Sequence, residues 1–371
     1  MKLPPLHIQS LTTGSRASIQ EMTGPASSVS NDSIDVGLEL ARKLEEAIPS
    51  SLGRSELRTS VLPAIIQAVG QISEALRRSH HVSLAGTANL FGDDQLNVDV
   101  VSENILRDAL RACPTVATVS SEEDPVERAN QATATATATS ESTFNEKYTI
   151  AFDPLDGSSI IAPNWSVGTI VGVWDGCSAV GLHPREKQIA SVISVYGPRT
   201  TAVVAVRIPG GTQGSSCFEV AYDPNKPHAW VVTHPSFTLA AAPPFKTRYF
   251  APANLRAAAE DDRYRQLVTN FIADKYTLRY SGGLVPDVVH ALVKGHGIYL
   301  SPVTAASAAK LRRLYELCPI ALVVECAGGE AVEPGDGGRI LDRALKDVDE
   351  RGGIVCGTAS EVEKAMEVFL S

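Results

Sequence analysis

The chain has 371 residues, 44% of them hydrophobic and 20% charged, with a formal net charge of −9. That length sets a prior of two ordinary domains with enough apolar content for real cores. The acidic balance, with no long basic run, argues against binding to nucleic acid or an anionic membrane, where affinity rests on clustered Lys and Arg.

No segment approaches the roughly 18 apolar residues of a membrane span. The strongest, Ile320 to Val324, is five long. The opening MKLPPLHIQS places prolines where a secretory leader needs apolar residues, so a soluble, cytoplasmic protein is expected. Residues 1–30 are rich in Ser, Thr, Gly and Pro without apolar period and read as a disordered tail. Helical spacing begins near Ile34 and strengthens from Leu57 through Ile65, Val69 and Ile72 to Leu76. Pro63 within that run either kinks the helix or opens a new one in its first turn. Asn97 to Arg111 forms a second helical pattern.

The stretch 131–143, QATATATATSEST, alternates like a strand but has no large apolar residue to bury, so a mobile surface loop is expected. From Tyr148 to Cys217, β-rich runs dominate: YTIAF, VGTIVGVW, IASVISVY and TTAVVAVRI. Beyond about residue 243 helices and strands mix, ending in a helix near Ser360 to Leu370. HPSFTLAAAPP breaks the pattern near 235–245 and suggests two halves of an α/β or α+β protein. The six cysteines show no CxxC and read as single buried thiols, and the eight histidines form no HExxH. Chemistry built on His and Cys metal ligands is therefore not expected.

The acids carry the chemistry. Asp153-Pro-Leu-Asp156-Gly157-Ser158-Ser159 follows the strand-like YTIAF, so two carboxylates three apart sit at a strand end before a Gly-Ser turn. The turn can present backbone N–H groups to an anion. Read alone, it is also an ordinary Asp-Pro turn. Gly92-Asp93-Asp94, Asp99 and Ser121-Glu122-Glu123-Asp124 add further acids. Each is a solvated loop unless they converge. Converged without metal, each close pair would cost about 4 kcal/mol at an effective dielectric near 20. All-oxygen ligation selects Mg²⁺ or Mn²⁺ over zinc, and such ions beside a phosphate-sized nest suit phosphoryl transfer to water.

DPLDGSS, SEED and GDDQLNVD together resemble the metal-dependent sugar bisphosphatases, the fructose-1,6-bisphosphatase and sedoheptulose-1,7-bisphosphatase group. The blocks VYGPRTT (195–201), FAPANLR (250–256), KYTLRYSGGLVPDV (275–288) and KLRRLYELCP (310–319) follow in the same order and look closer to the sedoheptulose enzyme. The resemblance implies a layered α-β-α-β-α sandwich of the α/β class. Residues 31–242 would be a metal- and phosphate-binding domain, and 243–371 a sugar-binding domain.

The resemblance further implies metal ligands at Asp93, Glu122, Asp153, Asp156 and Glu316, with the Leu155 carbonyl, for two or three Mg²⁺ that Mn²⁺ could replace. Asp99 and Glu123 match the pair that orients and deprotonates the attacking water. Ser158 and Ser159 match the holders of the scissile phosphate. Asn254, Arg256, Arg279, Tyr280 and Lys310 match the grip on the sugar and its distal phosphate, with Arg279 reaching a neighbouring subunit of a homodimer or homotetramer. Asp156→Asn is expected to abolish turnover while leaving the fold intact.

From the residues alone, Tyr280 is as readily core as ligand, Asp94 is an outer or exposed carboxylate, and one of Arg312 and Arg313 is expected at the surface. The chain departs from the pattern in several places, among them the N-terminal segment, which does not match the fructose enzyme's AMP-binding helix, and the Ala/Thr insert, which has no counterpart. LAGTANLFGD lacks the cysteine pair of the plastid sedoheptulose enzyme, and Ser301 replaces a tyrosine of the fructose enzyme. Inositol-type phosphatases share the DP-x-DG core but close their site with a WDxAAG-like segment, absent here. A non-catalytic sugar-phosphate sensor would not need Asp99 and Glu123. An ATP phosphotransferase lacks its GxxxxGK[ST] loop.

Overall fold

The computed structural model describes residues 36–88, 94–130, 145–209, 214–226, 229–240 and 245–371. The expected tail and the Ala/Thr stretch lie outside the described residues, as do Asp93 and the Asp94 side chain. No described helix is long and apolar enough to cross a membrane.

Helix α1 (Leu38–Ala47) precedes one π-helical turn, Leu57–Val61, that runs into α2 (Leu62–Arg78). The helical run is continuous from residue 55 to 78, so Pro63 lies inside it and opens no new helix; the π-helical turn just ahead of it widens the backbone where the ring and the missing N–H interrupt the α-helical ladder. The β1–β2 hairpin (Leu84–Ala88, Asp94–Leu96) leads into α3 (Asn97–Arg111), which has the bounds its periodicity predicts.

Eight strands form the first large sheet: β3 (Val116–Ser121), β4 (Arg128–Ala129), β5 (Tyr148–Asp156), β6 (Val167–Asp175), β7 (Gln188–Tyr196), β8 (Thr200–Val206), β9 (Ser216–Tyr222) and β10 (Trp230–His234). Their order is β10-β9-β8-β7-β6-β5-β3-β4, antiparallel except for the β3–β5 pair. Both faces of β5 to β8 are covered, which is why these strands read as continuous apolar runs. A short helix, α4 (Pro184–Lys187), links β6 to β7.

The second half holds β11 (Tyr249–Pro252), α5 (Asp262–Ala273), β12 (Thr277–Leu278), α6 (Leu284–Lys294), β13 (Ile298–Ser301), β14 (Leu311–Arg312) and α7 (Cys318–Cys326). It ends with β15 (Glu330–Val332), β16 (Arg351–Gly352), β17 (Ile354–Gly357) and α8 (Ala359–Phe369). The second large sheet has the order β12-β11-β13-β17-β15.

Three cores lie between successive layers. Leu40, Ile65, Ile66 and Leu106 of the first helices meet Ile150, Val171 and Val192 on one face of the eight-stranded sheet. Its other face, with Ile170, Ile193 and Val203, meets α6 and α7, which in turn cover Ala251, Tyr299 and Cys356 of the second sheet. The far face of that sheet, with Phe250, Ile298 and Val355, packs on α5 and α8. The result is the layered α-β-α-β-α sandwich that the motifs implied. Strand alternation is exact at β13, where Ile298 and Leu300 face one core and Tyr299 the other.

All six cysteines are free thiols, and five are buried. Cys177 departs from the expectation. It lies in the turn after β6, where its carbonyl takes the Thr118 hydroxyl while its side chain is left at the surface.

Candidate active site

Three acids from distant segments meet where β3 and β5 end. Glu122 follows β3 and is held by its N–H to the Phe152 carbonyl at 3.0 Å. Asp153 lies within β5 and accepts the Leu155 N–H at 2.9 Å. Glu316 comes from a π-helical turn, Arg313–Leu317, ahead of α7. Tyr315 in that turn is hydrogen-bonded to Ser120 of β3 at 2.6 Å, which locks the turn against the strand. One oxygen from each of Glu122, Asp153 and Glu316 lies within 4.8 Å of the others. Burial, then repulsion from Glu122 and the neighbouring acids, holds the Asp153 and Glu316 carboxyls well above the usual carboxylate range.

Arg312 and Arg313 correct an expectation. Both are buried, neither at the surface. Arg312 pairs with Glu122 and, at 3.0 Å, with Asp349, and its backbone N–H goes to Glu316. Arg313 pairs with Glu333 and donates to the Ile340 carbonyl at 2.7 Å. The two side chains diverge because β14 ends between them and the π turn begins, so no helix carries both.

Asp156 is buried but directed elsewhere. Its carboxylate accepts the N–H groups of Leu284 at 3.2 Å and Val285 at 2.7 Å, the first two residues of α6. Burial raises its pKa to about 6 against the pull of these two bonds. Helix α6 comes this close because β6 has a glycine beneath it. A Cβ on Gly168 would lie 2.6 Å from Val285. Asp156 is therefore also a clamp between β5 and α6, and Asp156→Asn would disturb packing as well as charge. Gly157, at φ 85°, then turns the chain into the short 3₁₀ segment Ser158–Ile160, with Ser159 exposed.

Asp99 sits in the first turn of α3, buried, with one oxygen on the Leu96 N–H at 2.9 Å and the other without a partner among the described residues. Burial, with Glu123 nearby, raises it to about 7. Glu123 is raised too, by burial first, and its carboxylate accepts the Gln95 amide from β2 at 2.5 Å.

A cleft of about 350 Å³ is lined by Ser159, Asn254, Arg256, Tyr280, Ser301 and Lys310, among others. Tyr280 is 45% exposed, which settles it as a wall of the cleft and not core. Asn254, at φ 50°, donates its side-chain amide to the Pro302 carbonyl at 2.7 Å and so pins the loop after β13. Arg279 is not a cleft residue. It lies at the surface, donates to the Leu278 carbonyl at 2.8 Å and stands over the Tyr249 ring.

Residues 42–235 match the family description "Fructose-1-6-bisphosphatase, N-terminal domain", and residues 244–370 match its C-terminal domain. The chain belongs to the fructose-1,6-bisphosphatase family. Among relatives, it is 34% identical to the chloroplastic sedoheptulose-1,7-bisphosphatase of Chlamydomonas reinhardtii, covering 90% of this chain and 77% of that one. It is 36% identical to the class 1 fructose-1,6-bisphosphatase of Syntrophotalea carbinolica, covering 81% and 88%. A Toxoplasma gondii crystal structure with a provisional sedoheptulose-1,7-bisphosphatase assignment superposes with a TM-score of 0.76 at 35% identity, covering 90% and 98%.

The enzyme is thus a sugar bisphosphatase of a metal-dependent family. Its donor set fits a hard divalent cation. Glu122, Asp153 and Glu316 offer only oxygens, and the buried Arg312, paired with Glu122, sets a positive charge against their mutual repulsion. Sequence reasoning missed Arg312, Gln95 and the unpartnered oxygen of Asp99.

Proposed function

We propose that this bisphosphatase hydrolyses the 1-phosphate of sedoheptulose 1,7-bisphosphate, giving sedoheptulose 7-phosphate and phosphate, with Mg²⁺ as its metal. The observation that carries the choice of sugar is Ser301. It lines the cleft where the fructose enzyme carries a tyrosine, and the shorter side chain leaves room for a longer sugar. Fructose 1,6-bisphosphate is the second substrate.

Glu122, Asp153 and Glu316 would hold the metal, with Asp156 and the Leu155 carbonyl beside them. A bound cation offsets charge on the scissile phosphate and on the leaving oxygen. Ser158 and Ser159 present hydroxyls and N–H groups to that phosphate. Asp99 and Glu123 accept the proton of the attacking water, a role suited to carboxyls whose burial has made them more basic. Arg256 and Lys310 draw in the distal phosphate and so place the reacting end. The exposed run Leu278, Arg279 and Tyr280 supports a homo-oligomer in which Arg279 serves a neighbouring subunit.

The test is phosphate release from both sugar bisphosphates, with Mg²⁺ and with a chelator. The expected result is chelator-sensitive turnover with higher kcat/KM for the seven-carbon sugar. A preference for fructose 1,6-bisphosphate would overturn the choice of substrate, and chelator-resistant turnover would overturn the metal assignment.

A further inference from the structure

One tyrosine of the cleft has no place in the roles above. Tyr299 is 6% exposed, yet it lines the cleft together with Arg256, Tyr280 and Lys310. The other well-buried tyrosines spend their hydroxyls on the protein. Tyr148 bonds Glu146, Tyr196 bonds Thr169, Tyr264 bonds the Ala253 carbonyl and Tyr315 bonds Ser120. Among the described residues the Tyr299 hydroxyl has no such bond, and its polar neighbours are Tyr280, Asp156 and Asp287. The ring is buried, yet the hydroxyl is reached by solvent in the cleft, where a ligand group can take the place of water.

The ring is held firmly. Tyr299 lies in β13, between β11 and β17, opposite Ala251 on one side and Cys356 on the other. Two small neighbours leave the space that a large ring occupies. Nearby, Asp287 of α6 accepts the Ser281 N–H at 2.8 Å and the Gly282 N–H at 3.4 Å, which fixes the loop carrying Tyr280. Tyr280 and Tyr299 therefore stand on supported backbone, between the phosphate turn at Ser159 and the cations at Arg256 and Lys310.

We propose that the Tyr299 phenol is a substrate-binding group, hydrogen-bonding a hydroxyl of the sugar chain between its two phosphates. This rests on the bisphosphatase reading of the same site and deepens it. The role follows from position. A polyol held by its two phosphate ends brings its hydroxyls past the middle of the cleft, where a preorganised donor and acceptor is worth most.

The experiment compares Tyr299→Phe with the wild-type enzyme, a change that removes one oxygen and keeps the ring. KM for the sugar bisphosphates should rise about three- to tenfold, the size of one lost hydrogen bond. The kcat and the inhibition constant for inorganic phosphate should stay within about twofold, and thermal stability should not fall, since no protein contact is lost. Wild-type turnover with an unchanged KM in Tyr299→Phe would overturn this role and leave the bisphosphatase reading standing. A parallel loss of stability would show a structural hydroxyl instead. No turnover of either sugar by the wild type would overturn both.

Discussion

At one end of the site, Glu122, Asp153 and Glu316 sit on or beside strand ends, drawn together from segments almost 200 residues apart, with Asp153 and Glu316 buried and Glu122 half-buried. At the other end, Arg256 and Lys310 are exposed, on a 3₁₀ turn and a loop, with solvent on one side. The first arrangement is costly in isolation. Like charges share a small buried volume, and only precise backbone support keeps them there. The second is cheap and adjustable, since exposed cations pay little desolvation and long side chains can follow the ligand. The contrast fits the tasks proposed for the two ends. Charge developing at phosphorus has to be met by groups already in place, whereas a distal phosphate needs only to be held.

The comparison is most severely tested at the acid corner. Asp153→Asn should lower kcat by about 10²–10³-fold. The same variant should melt higher than wild type in chelator, because one of the repelling charges is gone. A lower melting temperature there would mean that Asp153 supports the fold more than the metal. At the opposite end, Lys310→Ala should raise KM about tenfold and leave kcat within about twofold, as expected for uniform binding. If kcat fell with it, the two ends would not be as separable as their construction implies.

A smaller effect follows from the raised carboxyls. Asp99 is lifted to about 7, and Asp156 and Asp287 to about 6, chiefly by burial. The folded state thus keeps protons that the unfolded chain releases near pH 4. Stability from these groups is present below that value and lost as pH rises to about 7. In chelator, the melting temperature should decline across this window, and Asp99→Asn should flatten its upper part. A melting temperature independent of pH between 4 and 7 would contradict the burial of these acids.

Much of the fold was legible in the chain because the period of apolar residues is a local property. The helix at Asn97–Arg111 and the strands beginning at Tyr148, Val167, Gln188 and Thr200 need no information from elsewhere. The acids of DPLDGSS and SEED were legible as well, since their type and spacing carry the chemistry. Three readings needed more. Arg312 and Arg313 look like a solvated helix face until the π turn separates them and four carboxylates receive them. Asp156 looks like a pure ligand until α6, admitted by Gly168, delivers two N–H groups to it. Tyr299 looks like any apolar-strand residue until its hydroxyl is found without a partner in the cleft.

What the sequence determined by itself was the layered α/β architecture and the family chemistry of oxygen ligands beside a phosphate turn. The oxygen ligands and the turn follow from residue type and short-range spacing, and the layered sandwich from the resemblance those motifs carry. Which acids share a corner, which are tied up by backbone N–H groups and which hydroxyl is left without a protein partner in the cleft were decided only by the packed structure. These depend on contacts between segments far apart in the chain, and no local pattern records how such segments meet.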